Sequence, residues 1–125
     1  MCVEVFAVPS EPGKIGAKKL SEISGLVVQK REGALHFSRG GCSCSLLADG
    51  AGHEGATWAL DPSVLEGLAL ALEALNQAAK GFTFQATWLG DEIKTRARVP
   101  VKAVLSDVRS NRIKNHHVYQ AGRAG

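Results

Sequence analysis

Long apolar runs are missing from this 125-residue chain. Nothing approaches the roughly 18 consecutive apolar residues of a membrane span, so no membrane segment is expected. The opening Met1-Cys2-Val3-Glu4-Val5 has neither a basic region nor an apolar stretch behind it, and no secretory leader is read there. Cysteine is scarce. Three cysteines, an odd number, argue against a disulfide framework and point to a reducing, cytoplasmic setting. Also missing is any complete nucleophile, acid–base or cofactor signature, so the reading leans against an enzyme and expects no cofactor.

What is present is ordinary globular composition, 45% hydrophobic and 22% charged. A chain of this size buries roughly two-thirds of its unfolded surface and needs no metal or disulfide to hold a core. One domain is expected over residues 1–120, with a frayed tail at 121–125. Charge is uneven along it. Residues 1–90 carry seven Lys/Arg against nine Asp/Glu, whereas residues 91–125 carry eight against three. A basic last third can attract anions, but an uneven solvated surface is the favoured account of it.

Periodicity supplies the elements. Cys2 to Val8 reads as a near-continuously apolar strand ended by Pro9. Ser10-Glu11-Pro12 suggests a helix start, followed by Ile15, Lys19, Leu20 and Ile23 and stopped by Gly25. Leu26–Lys30 and Ala34–Ser38 flank Arg31-Glu32-Gly33, a hairpin with a three-residue connection. After Gly41 an extended segment is expected through Leu47, then an irregular stretch from Ala48 to Leu60. The clearest element is a helix from Asp61 to Lys80, capped by Asp61, opened by Pro62 and ended by Gly81. Its apolar arc covers about half the circumference, wider than a one-sided surface helix needs. With Leu70 on the outward side, that arc predicts self-association.

Phe82–Trp88 and Ile93–Val99 alternate as half-buried strands. Paired as a hairpin through Leu89-Gly90-Asp91-Glu92, they would turn Phe82, Phe84, Trp88, Ile93, Ala97 and Val99 to a core. Thr83, Gln85, Thr87, Lys94, Arg96 and Arg98 would then face water. Val101, Val104, Leu105 and Val108 mark a third helix, and Ile113 to Gln120 a last strand. The expected fold class is α+β, a mainly antiparallel sheet with helices on one face. Its first six elements resemble the β-α-β-β-α-β ferredoxin-like unit in element order, extended by a strand, a helix and a strand. The resemblance stops there, and this order hosts many unrelated functions.

Candidate sites are few. Cys42-Ser43-Cys44, with His36, His53, His116 or His117, is a candidate metal or thiol centre, and Cys42, Cys44 and His53 are the metal candidates named from it. In a regular strand, residues two apart are separated by about 6.6 Å of rise. Two thiolates on zinc sit only about 3.8 Å apart. The competing reading makes Cys42, Cys44 and Leu46 small buried hydrophobes of one strand. Gly50-Ala51-Gly52-His53-Glu54-Gly55 matches a dinucleotide glycine pattern, but the helix that should begin inside it begins only at Asp61. Lys80-Gly81-Phe82-Thr83-Phe84 copies the start of an RNA-recognition strand, then departs from it at Thr83, Gln85 and Thr87, so these aromatics are read as core. Lys94, Arg96 and Arg98 are the candidate anion-binding ladder and the basis of a nucleic-acid alternative. Edge-strand cations also keep sheets from pairing with one another. The leading expectation is a small binding or interaction module.

Overall fold

A computed structural model describes residues 3–48, 57–88 and 90–122. The elements run β1 (Val3–Pro9), α1 (Ala17–Ser24), β2 (Val27–Arg31), β3 (Ala34–Ser38), a 3₁₀ turn (Ser43–Leu46), α2 (Pro62–Ala79), β4 (Gly81–Trp88), β5 (Thr95–Val99), α3 (Val101–Arg109) and β6 (His117–Gly122). The strands form one six-stranded sheet in the order β2-β3-β1-β4-β6-β5. Every neighbouring pair is antiparallel except β5 with β6, which is parallel and joined through α3. Helix α2 lies between α1 and α3, with all three on one side of the sheet. The fold class is therefore α+β with a mainly antiparallel sheet, as the periodicity implied.

Alternation decides the two faces. Val3, Val5 and Ala7 of β1 are buried beneath the helices with Phe82, Phe84 and Ala86 of β4. Leu68, Leu72 and Leu75 of α2 close over them. The aromatics of β4 are thus core residues, and the cations of β5 lie outside. The Asp61 carboxylate accepts from the Ser63 amide at 2.9 Å and the Ser63 hydroxyl at 2.8 Å. These bonds, the amide first, hold the Asp61 pKa below its usual value. The wide apolar arc of α2 is used up by α1 on one flank and α3 on the other, leaving Leu70 exposed as a single residue. Gly67 is the closest point of the α1 packing: a Cβ there would lie 2.2 Å from the Ser24 carbonyl oxygen.

Several boundaries differ from the sequence reading. Helix α1 begins at Ala17 with Gly16 as its cap, not near Ser10. Gly13 at φ 79° breaks the helical path in between. The β2–β3 connection is the two-residue turn Glu32-Gly33, both in the left-handed region at φ 52° and 84°, rather than a three-residue loop. Primed two-residue turns match strand twist and need just this pair of positive φ values. The segment expected to run extended to Leu47 is a 3₁₀ turn. Gly40 and Gly41 adopt φ 128° and 75°. The Ser45 hydroxyl donates to the Cys42 carbonyl (2.9 Å) and accepts from the Arg39 amide (2.7 Å). Serine bonded locally in this way competes with strand pairing.

The largest correction concerns β4 and β5. They do not form a hairpin, because β6 lies between them. Three successive residues of β6, His117, Val118 and Tyr119, are buried, which suits an interior strand flanked by β4 and β5. β5, with Thr95, Arg96 and Arg98 exposed, suits an edge. Strand β6 starts at His117 rather than Ile113 and extends through Ala121 to Gly122, two positions assigned to the tail; residues 123–125 lie outside the described residues. Gly81 and Gly122 are register partners, and a Cβ on Gly122 would fall 2.3 Å from the Gly81 Cα.

The irregular stretch contributes more than a linker. Trp58 is fully enclosed, and its indole N–H donates to the Ala86 carbonyl at 2.7 Å. Asn111 receives the Leu60 amide (2.9 Å) and donates to the Leu60 carbonyl (2.8 Å), imitating a strand partner. The Tyr119 hydroxyl donates to Asp107 (2.7 Å) and accepts from the Lys114 amide (2.9 Å), tying α3 to β6.

Candidate functional site

With the three described helices on one side, no helix among the described residues lies over the other face of the sheet. Its side chains come from the residues that alternate with the core. Register sets Phe6 of β1 opposite His36 of β3, and His36 opposite Gln29 of β2. The Phe6 and His36 rings stack, centroids 5.0 Å apart and planes at 27°. Beyond Ser38 the glycine turn folds back over this end of the sheet. A cleft of about 160 Å³ results, lined by Glu4, Arg31, His36, Ser38, Cys42 and Ser43 among others.

The cleft holds both signs of charge. Glu4 Oε2 is 3.8 Å from His36 Nδ1, a loose ion pair only when the imidazole is protonated. Burial lowers the His36 pKa, Glu4 opposes that shift and Arg31 adds to it, so the neutral ring prevails at neutral pH. Arg31 is steadied by donating to the Gln29 carboxamide oxygen at 2.6 Å. Ser43 is anchored by donating to the Phe37 carbonyl at 2.6 Å. This arrangement offers a neutral imidazole, a carboxylate, a guanidinium and a thiol to one small polar molecule.

The expected cysteine pair divides. Cys42 lines the cleft, whereas Cys44 packs against the core and its sulfur accepts the Val3 amide at 3.2 Å. Among the described residues no three His, Cys, Asp or Glu side chains are grouped to hold a metal ion. His53 lies outside the described residues. Arg39, considered from sequence as a thiolate partner, instead donates to the Ser45 carbonyl (2.7 Å) and pairs with Asp61 (3.2 Å).

The basic residues of the last third do not share one face. Arg96 and Arg98 are exposed on the open side of β5, while Lys94 precedes the strand and its amide donates to the His116 carbonyl at 2.8 Å. Arg109 on α3 pairs with Glu66 in the helical layer. His116 and His117 serve different partners. His116 Nδ1 lies 3.1 Å from the Glu92 carbonyl, while His117 is buried with Nδ1 2.6 Å from the Thr95 hydroxyl. The His117 Nε2 has no hydrogen-bond partner among the described residues.

Sequence reasoning missed Glu4, Phe6 and Arg31. The alternation of β1 marks Glu4 and Phe6 as sharing a face, but the pairing that delivers them to His36 spans some thirty residues. Comparison with known protein families, with curated protein sequences and with solved structures finds no match.

Proposed function

We propose that this chain is a non-enzymatic binding module that takes a small polar ligand in the Glu4–Arg31–His36–Cys42 cleft. The observation that supports it is the cleft itself, on the sheet face opposite the described helices and lined by both charges and by neutral hydrogen-bonding groups. A ligand carrying a cationic and an anionic group fits that lining, with Glu4 and Arg31 as the respective partners. The test is a ligand screen of amino acids and other small zwitterions, followed by two-dimensional NMR of the labelled protein. The expected result is a saturable shift centred on Glu4, Gln29 and His36, weakened in Arg31→Gln. A panel that moves none of these amides, or moves only the helical layer, overturns the reading.

A second reading, a thiol site at Cys42, is favoured by one observation: Cys42 shares the cleft with His36 and Glu4. It predicts alkylation of Cys42 ahead of Cys44, slowed in His36→Gln, with elemental analysis separating thiol from metal chemistry. Equal labelling of the two, indifferent to His36, removes it. The proposal also treats the first six elements as a ferredoxin-like unit, on the strength of strand order β2-β3-β1-β4 and its two split crossovers. It assigns a cytoplasmic setting from the odd cysteine count and keeps self-association as a separable property. Light scattering at high concentration checks the latter, and a strict monomer removes that part alone.

A further inference from the structure

The open face has a second polar feature at its opposite edge, unrelated to the cleft. Register places Thr83 of β4 opposite Gln120 of β6, and Gln120 beside Arg98 of β5. One rung of three adjacent strands thus carries a hydroxyl, a carboxamide and a guanidinium, spaced by about 4.8 Å from strand to strand. Ser10, just beyond β1, adds a second hydroxyl, and together these side chains line a concavity of about 150 Å³. Among the described residues, no carboxylate lines it. Glu11, the nearest acid along the chain, is turned to Lys80 at 3.7 Å. Among the described residues, the side chains of Thr83, Arg98 and Gln120 make no hydrogen bond or ion pair with other groups.

From this juxtaposition we infer that the Arg98–Gln120–Thr83 rung is a binding site for a phosphate group. Arginine presents a planar fork of donors suited to phosphate oxygens, and bonds with one ionised partner are about twice as strong as neutral ones. A tetrahedral dianion directs oxygens towards three strands at once, whereas a planar carboxylate meets only two. Protection of the sheet edge explains a cation on β5, but it does not explain two uncharged donors aligned with that cation on the inner strands. The phosphate comes either from a free phosphomonoester or from a nucleic-acid backbone. Arg96, one rung away beside Val118, would extend the site along a polymer.

The experiment titrates the labelled full chain with inorganic phosphate at fixed ionic strength, and in parallel with a short single-stranded oligothymidine. The expected result is a saturable shift of the Thr83, Arg98 and Gln120 amides by phosphate. Arg98→Gln should weaken it at least about ten-fold. Thr83→Val should weaken it less, and Arg109→Gln, on the helical side, should leave it unchanged. Arg98→Lys keeps the edge charge but loses the fork, so it should behave nearer to Arg98→Gln than to the parent. If the oligomer binds more tightly than phosphate, moves the same rung and weakens in Arg96→Gln, the source is a nucleic-acid backbone. If it binds no better, the source is a phosphomonoester. Oligomer binding that bypasses these three amides also leaves the phosphomonoester as the source, whereas failure of phosphate to move the rung, or an unchanged Arg98→Gln, overturns the inference. Thermal unfolding of each variant confirms that a loss is not misfolding.

Discussion

Replacing Gly67 by alanine sets two physical effects against each other, and the structure decides between them. In an exposed helix interior the change would stabilise by roughly 1 kcal/mol, because glycine is the poorest helix former after proline. Here the added Cβ would lie 2.2 Å from the Ser24 carbonyl oxygen and 3.1 Å from its carbon. An ordinary carbon–oxygen contact is about 3.3 Å or longer, so α1 and α2 would have to part by about 1 Å. The obstacle is backbone at the end of a helix, which cannot rotate aside as a side chain can. Overpacking costs about 1–3 kcal/mol, and a rigid neighbour places this case at the top of that range. Net destabilisation is therefore about 2 kcal/mol, equivalent to a fall in Tm of about 8 °C for a chain of this size. Urea unfolding followed by tryptophan fluorescence measures it, with the slope expected to stay constant. Gln77→Gly, at an exposed position of the same helix, calibrates the propensity effect at about 0.5 kcal/mol. A Gly67→Ala protein as stable as its parent, or more so, would refute the α1–α2 packing described above.

Four further outcomes follow from the same geometry. Burial is the leading cause of lowered pKa values at both His36 and His117, so below the ordinary value of 6.5 the unfolded chain binds protons the folded chain refuses. Stability should fall as pH drops beneath that value and level off below the folded pKa values, and His117→Leu should flatten the slope in a pH series of denaturation curves. Trp58→Phe strips the Ala86 carbonyl of its indole donor and should cost about 1–3 kcal/mol by the same unfolding assay. Phe84→Ala should cost about 3–5 kcal/mol, because the ring is enclosed beneath α2. Glu32→Asn should raise stability by up to about 1 kcal/mol, since asparagine tolerates φ 52° better than glutamate does; no gain would speak against the primed turn.

Local patterns were legible where one residue's neighbours along the chain determine its environment. The cap at Asp61, the Leu68–Leu72–Leu75 stripe and the alternation of Phe82 with Thr83 each follow from a short window. Partner choice was not legible. The cations of β5 marked a strand with a wet face, but nothing nearby in sequence shows that β6 separates it from β4. The same limitation hid the cleft, where Glu4, His36 and Arg31 meet through the β1–β3 and β2–β3 registers. Trp58 lay in a stretch without period, and its partners Ala86 and Trp88 on β4 lie some thirty residues away in sequence. The turn at Gly40-Gly41 was visible as glycine, yet its serine bonds were needed to make Cys42 and Cys44 diverge.

The placement of β6 inside β5 has a consequence for biosynthesis. During translation β5 emerges before its sheet neighbour β6 exists, and α3 follows it before the strand that completes the crossover. The six residues of β6 therefore complete the β5–α3–β6 crossover at once. A nascent chain halted at Asn115 would carry a four-stranded sheet whose β4 edge is bare.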